Sequence, residues 1–541
     1  MERLTESNKL KEQRKMKKTM RQHSFASRLK SLALAFGITL AFASCANEEI
    51  AQNANGKDYD ANLTTFSTGD PTTRTSMESN GTFYWESGDK IWVKDDNGVW
   101  QQSSNAPTEK TANFKFKVPG KFTKSSTYKV YYPGKNGNQD QVSIVANQSQ
   151  AEPNSTAHFG TAGDCGMADA AWSNAKNGFA FTLDHKAAYL LLLPRTATTV
   201  LYDCYITKVE VNSDNDITST YTLDPTTGEL TGTGTGKQII VSTGGSGTYA
   251  NGFPLKNNAT SAATNGAYVV IKPGTHILKI RYWVKDVATG VEGTITKTLS
   301  SATYDQNKYY NITANLDVKN YDGDHYYMWD AQQQYWYGYE WTRHLSGNTG
   351  QPTLNYNSSS NYPQSNSDVS RWYNESYPGY GVSNPAIHTS CKDLPNVNEM
   401  TWYAAKGEPR WDADELWTTM GHLYKGGMWF KKKANISGFN PNTAEDGTDW
   451  RTNEKHQDWS ASLTLPSAAE AGNYFYLPAL GWYDSGRLSS VGYMGCYWSS
   501  SAYSIEIVWG ARRAYSLLIR YGLVSVIYDS RYLGLRVGGF E

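Results

Sequence analysis

Aromatic faces are the chemistry this chain holds most of: 18 Trp and 38 Tyr among 541 residues, with 13 of the Trp beyond residue 323. Such rings stack on the apolar faces of sugars, while loop Asn and Asp bond the hydroxyls, and the same rings anchor protein interfaces. Trp336, Tyr337, Trp341, Trp372 and Trp482 are the candidates for ligand contact; Trp402, Trp429 and Trp498 are assigned to the core. Other chemistry is thinner. No His-Glu-x-x-His and no Gly-x-Ser-x-Gly occurs, which removes two common local hydrolase motifs. Gly232-Thr233-Gly234-Thr235-Gly236-Lys237 superficially suggests a phosphate loop, but Gln238 replaces the needed Ser/Thr and Thr231 the needed Gly. Asp412, Asp414 and Glu415, and Asp214 with Asp216, offer oxygens of the kind calcium takes, yet read as solvated turn carboxylates. His185 reads as a hydrogen-bonded sandwich residue rather than a catalyst. Cys165, Cys204, Cys391 and Cys496 are widely spaced with no Cys-x-x-Cys, which disfavours zinc and redox motifs. They either form two disulfides, in one of three connectivities, or stay as small buried hydrophobes. No catalytic group, metal or cofactor is assigned, and the expectation is a protein that is not an enzyme.

A fifth cysteine has a different setting. Residues 32–45 form an apolar run behind a Lys/Arg-rich flank, too short to span a bilayer comfortably and laid out as an export signal. Phe42-Ala43-Ser44-Cys45 resembles a lipobox, in which the thiol of Cys45 is acylated and becomes the mature N-terminus. Ala46-Asn47-Glu48-Glu49 resembles the acidic export tag of surface lipoproteins in Bacteroidota, which implies the cell outer membrane with the chain facing outward. Residues 1–45 are then a signal peptide and 46–65 a polar, flexible tether.

The overall balance of 51 basic and 51 acidic residues misleads, because residues 1–44 hold 10 Lys/Arg and 3 Asp/Glu. The remainder has 41 against 48, a net of about −7, which argues against nucleic acid as a partner. Some five hundred residues are too many for one core, so two to four domains are expected.

Positioning falls to β structure. Residues 82–85, 90–93, 113–118 and 128–132 alternate or are β-rich, with Gly88-Asp89, Asn97-Gly98, Pro119-Gly120 and Pro133-Gly134 as turns. Strands at 179–183 and 189–193 continue the pattern, giving a first sandwich over 66–200. A second, over 201–318, has strands at 208–211, 267–271, 276–284 and 308–312, with the Gly/Thr-rich stretch 227–252 as a loop. Residues 319–541 mix a helix, opened by Pro395-Asn396 and closed by Gly407, with strands at 474–478, 495–501, 514–519 and 533–537.

Thr73-Arg74-Thr75, Phe83-Tyr84-Trp85, Gly88-Asp89-Lys90-Ile91-Trp92-Val93, Tyr131-Tyr132-Pro133, Phe181 to Leu190 and Lys308-Tyr309-Tyr310-Asn311-Ile312 together resemble the fimbrillin-like family of Bacteroidota. The resemblance implies two tandem transthyretin-like β-sandwich domains and a place in type V pili. It also implies a protease cut after Arg74 that frees a groove for another subunit's strand. From about 390, a Leu-Pro pair, Gly495-Cys496-Tyr497-Trp498-Ser499-Ser500, an Ala514-Tyr515-Ser516-Leu517 strand and Gly534-Leu535-Arg536-Val537 resemble the Fibrobacter succinogenes major domain. That resemblance implies an α+β, C-type-lectin-like C-terminal domain and no transferable activity.

The expectation is a mainly β surface lipoprotein acting as a pilus (fimbrial) tip or accessory adhesin, with a host or microbial glycan or protein bound by the last domain. Other fimbrillin subunits are its partners by strand exchange. The alternative is a glycan-capture surface lipoprotein that does not polymerise.

Overall fold

The computed structural model describes residues 63–68, 76–77, 83–341, 359–376, 386–503 and 512–541. The expectations for the signal peptide, Cys45 and Arg74 lie outside the described residues, as does most of the tether. The tether reading gives way at its end, because Leu63–Thr68 is already a strand with Phe66 fully buried.

The chain is mainly β. Its first body is an eight-stranded sheet in the order Trp100–Gln102, Trp92–Lys94, Tyr128–Tyr132, Gly166–Ser173, Gly178–Phe181, Leu63–Thr68, Lys115–Pro119, with Asp184–His185 beside Gly166–Ser173. Gly166–Ser173 pairs with Tyr128–Tyr132 through residues 166–170 and with Gly178–Phe181 through 171–173. One long strand thus serves both halves of the sheet, whose inward residues share a single core of Phe66, Trp85, Phe116, Tyr132 and Phe179. Edge-on contacts hold that core: Trp85 lies 4.9 Å from Phe116 and 5.5 Å from Tyr132.

The central body places Glu292–Thr298, Leu278–Asp286, Cys204–Ser213, Gln238–Thr243 and Asn147–Gln150 side by side in a six-stranded sheet that also takes in Phe253–Pro254. A second sheet sets Ala188–Arg195 between Ala267–Ile271 and Tyr309–Asn315. Ala188 to Pro194 and Ala267 to Ile271 are buried without alternation, the pattern of strands covered on both faces. The two sequence halves expected to part at residue 200 are interwoven. Asn147–Gln150 pairs with Gln238–Thr243, Gln141–Ile144 with Ser219–Leu223, and Ala188–Arg195 joins the later strands. The stretch expected as a loop over 227–252 contains Gln238–Thr243, an interior strand whose Ile239 and Val241 point into the core. The Gly and Thr residues around it concealed a short apolar alternation.

Two buried glutamines lock the excursion into this body. Gln148 donates to the Val270 carbonyl at 2.8 Å and accepts from the Val270 N–H at 3.0 Å. Gln150 does the same with the Gly266 carbonyl at 2.9 Å and the Tyr268 N–H at 2.7 Å. Their amides satisfy the free side of Ala267–Ile271 as a neighbouring strand would.

Beyond the sandwich, Lys319–Tyr321 pairs in parallel with Arg410–Thr419, in a four-stranded sheet completed by His422–Lys431 and Tyr474–Pro478. A six-stranded sheet runs Tyr326–Tyr327, Leu535–Arg536, Met494–Ala502, Arg513–Arg520, Leu523–Ser530, Gln457–Ser460. The helix Val397–Lys406 forms as expected. Asn396 accepts from the Glu399 N–H while the Glu399 carboxylate accepts from the Asn396 N–H, and Gly407 ends it. Its Val397, Met400, Tyr403 and Ala404 face the core between the sheets.

The glutamine clamp gives a stability expectation. Replacing Gln150 by Met leaves the buried Tyr268 N–H without its acceptor, while the Gly266 carbonyl keeps the Asn154 N–H at 2.9 Å, and lowers unfolding free energy by about 2 kcal/mol. Replacing exposed Gln238 by Ala changes it by less than about 0.5 kcal/mol. Urea denaturation of both variants beside the parent protein measures the difference.

Candidate functional site

Where the sandwich meets the C-terminal region, one carboxylate organises the joint. Asp286, buried at the end of Leu278–Asp286, accepts from the Ala288 N–H at 2.8 Å within its own turn. Across the joint its other oxygen accepts from the Leu423 N–H at 3.0 Å and lies 3.2 Å from His422 Nδ1. Burial opposes its ionisation, but the His422, Leu423 and Ala288 bonds outweigh that and hold its pKa below the usual carboxylate value. The Thr289 hydroxyl donates to the Leu423 carbonyl at 3.2 Å, and Leu416 and Leu423 enter the sandwich core. Gly293 makes room there for Leu416, since a Cβ on it would come within 2.5 Å of Leu416 Cδ2 and displace that side chain.

Beside this joint opens a cavity of about 500 Å³, within the range of small-molecule clefts. The sandwich contributes Ala288, Thr289 and Val291; the rest comes from the hairpin around Trp411 and Lys425, the 488–493 loop and the turn at Tyr521. Trp411 is only 5% exposed, whereas Tyr521 and Tyr493 are 65% and 77% exposed. The Tyr521 ring stands at 74° to Trp411 with 6.4 Å between centroids, making an aromatic corner. Gly426 has φ +97° and a Cβ there would meet the Gly492 carbonyl at 2.9 Å and Trp411 Cζ2 at 3.3 Å, so the backbone approach behind the corner needs glycine. Among the described lining residues the cation is Lys425, whose Nζ lies 3.9 Å from Asp414 Oδ1.

The five aromatics picked from the sequence do not form one surface. Trp336 is fully buried between Tyr335 and Tyr483, at 5.2 and 5.4 Å, and so offers no face to a ligand. Trp482 is half-buried against the separate core cluster of Trp329 and Trp498, and Trp372 is half-buried with its N–H donating to Glu375 at 2.8 Å. Tyr337 and Trp341 are open, 50% and 66% exposed. Of the three assigned to the core, Trp498 is buried, while Trp402 and Trp429 are half-buried and bonded to the Thr443 carbonyl and Asp412. Trp411, Tyr493 and Tyr521 come from segments far apart in sequence. The one local sign is a tyrosine beside a turn glycine, Gly492-Tyr493 and Tyr521-Gly522, both glycines having positive φ.

The remaining candidates resolve into structure. Asp412 accepts from the Asp414 and Glu415 N–H groups and from Trp429. Asp214 accepts from the Ile277 N–H, and Asp216 from Lys272 and Tyr221. Among the described residues no group of three or more His, Cys, Asp or Glu is placed to hold a metal. Gly236 of the glycine run pairs with Thr218, and Lys237 donates to the Asp214 carbonyl. His185 Nδ1 sits 2.9 Å from Asp164, which also accepts from the Tyr189 hydroxyl at 2.5 Å, and all three side chains are buried. Cys165, Cys204, Cys391 and Cys496 are all free and buried, which selects the hydrophobe reading over disulfides.

No family model matches the chain, and no curated protein matches it. Among solved structures it is similar to a candidate cell adhesion protein from Bacteroides ovatus, at 14% identity and TM-score 0.29, over 46% of this chain and 92% of that one. It is similar to the fimbrial anchor protein Mfa2 from Porphyromonas gingivalis at 12% identity and TM-score 0.22, over 44% of this chain and 82% of that one. A fimbrial protein from Bacteroides ovatus aligns over 87% of this chain and 98% of its own, at 11% identity and TM-score 0.25.

The joint carries a pH dependence. A carboxyl whose folded pKa is depressed contributes stability that is fully present above its unfolded pKa, about 3.9, and lost as pH falls through the lower folded value. The parent protein therefore loses stability below about pH 4, and part of that slope is absent in Asp286→Ala. At pH 7 that variant is less stable by about 2 kcal/mol, because the Leu423 and Ala288 N–H groups lose their acceptor. Denaturation at pH 3, 4, 5 and 7 reads both effects.

Proposed function

We propose that this chain is a surface lipoprotein of fimbrial type, a tip or accessory adhesin without enzymatic activity. The structural neighbours carry adhesion and fimbrial descriptions of their own; for this chain the role rests on its residues. The observation that carries it is the placement of Leu63–Thr68. This strand is set between Gly178–Phe181, in parallel, and Lys115–Pro119, antiparallel, with Phe66 in the core. Arg74 follows it by six residues. A cut there releases the strand and opens a groove with backbone groups exposed on both sides, suited to a strand from another subunit.

Two further features support a terminal position. Leu535–Arg536 is engaged on both sides, by Tyr326–Tyr327 and by Met494–Ala502, so this strand is not available for donation. The C-terminal region carries the open aromatics, Tyr337 and Trp341 as well as the corner at the joint, through which a glycan or protein partner is held. Cys45 takes the acyl chains that tie the precursor to the outer membrane.

Labelled palmitate is expected to enter the parent chain and not Cys45→Ala. The shear-released form is expected to begin at Thr75, and Arg74→Ala to keep the chain out of the shear-released polymer, leaving it as lipidated monomer on the cell. A chain without label, or one that added protease reaches only after cells are broken, overturns the proposal.

A further inference from the structure

The cavity at the joint has a chemistry narrower than adhesion in general. Its back wall is Trp411 and its open side is Tyr521, the two rings meeting at 74°. Tyr493 stands at the mouth, more exposed than either. An exposed aromatic ring backed by a second suits a chair-shaped saturated ring that has an apolar C–H face and a polar perimeter. Tyr521, the open ring, takes the C–H face; Trp411, packed in the core behind it, closes the back, and Tyr493 and Lys425 line the mouth. Charge sets the class further. Lys425, the cation among the described lining residues, has the exposed Asp414 carboxylate 3.9 Å away, so an acidic ligand gains less there than from an isolated lysine. We infer that the cavity between the sandwich and the C-terminal region binds a neutral hexopyranoside, stacked on the exposed rings of Tyr521 and Tyr493 in front of Trp411.

Preformed geometry supports this reading. The Ala288–Val291 wall is fixed by Asp286 and Thr289 bonds to Leu423, and the opposite wall by Gly426 lying against Gly492 and Trp411. A site held open on both sides loses little entropy on binding a small ring. The inference deepens the adhesin proposal by naming a ligand class for its C-terminal region, and it requires no polymerisation.

Lactose and cellobiose are the probes, titrated against the purified full chain with intrinsic Trp fluorescence and saturation-transfer NMR. Saturable binding by at least one of them is expected, weakened about tenfold or more in both Tyr521→Ala and Tyr493→Ala. Tyr521→Phe, which keeps the ring, and Tyr309→Ala, at an exposed site in the sandwich, retain binding. Sialyllactose gains nothing over lactose. Absence of saturable binding by both disaccharides, or unchanged binding in both alanine variants, overturns the inference. If binding is absent while cells displaying the chain still adhere, the cavity assignment falls and the adhesin proposal stands. If the pure chain binds but never reaches the cell surface, the reverse holds.

Discussion

A single buried carboxylate fixes the relation between the sandwich and everything that follows it. Asp286 sits where desolvation penalises its charge, and it is kept ionised because donors arrive from two directions, its own turn and the His422-Leu423 end of a hairpin far along the chain. Hydrophobic contact alone would allow that hairpin to slide. The carboxylate sets a register: with Leu423 bonded to Asp286 and Thr289, Leu416 has to fall over Gly293 and Val291 has to lie between the two cores. The cavity wall at Ala288, Thr289 and Val291 follows from that register.

Local signals in the sequence located the elements well wherever the pattern was one of short range. Tyr128–Tyr132, Ala267–Ile271 and Tyr474–Pro478 lie where their alternation or β-rich run placed them, and Asn396, Glu399 and Gly407 mark both ends of the helix Val397–Lys406. The limits of the bodies were not legible, because they depend on which strand pairs with which. Nothing in Asn147–Gln150 says that it belongs beside Gln238–Thr243 rather than with the strands around it, and its buried residues are glutamines, the type least expected inside. Their burial makes sense only once the free edge of Ala267–Ile271 is seen to need donors and acceptors at that spacing.

The same divide separates the aromatics. Composition announced a region rich in Trp, and its core members are identified by what their N–H groups meet. Trp329 donates to the Ser499 carbonyl, Trp498 to the Tyr327 carbonyl and Trp417 to the Gly426 carbonyl, so each packs an apolar body while its one polar atom is spent on backbone. Trp336, a candidate contact residue, does sit in a turn, yet Tyr335 and Tyr483 enclose it and it is fully buried. The corner of Trp411, Tyr521 and Tyr493 is assembled from the strand Arg410–Thr419 and two turns far from it in sequence. Such a site has no sequence spacing to recognise.

The joint also bears on how load passes through the molecule. Only residues 316–318 separate Tyr309–Asn315, in the sandwich, from Lys319–Tyr321, in the C-terminal sheet, and Leu316 is fully buried. The connection is therefore made by paired backbone at both ends rather than by a free linker. Force applied to a ligand in the cavity is shared between its two walls, one anchored through Leu278–Asp286 and its neighbours, the other through Arg410–Thr419 and His422–Lys431. Parting the two walls requires breaking the Asp286 bonds and withdrawing Leu416 and Leu423 from the sandwich core. Both costs fall on the same few residues, and any ligand that bridged the two walls would stabilise the arrangement that receives it.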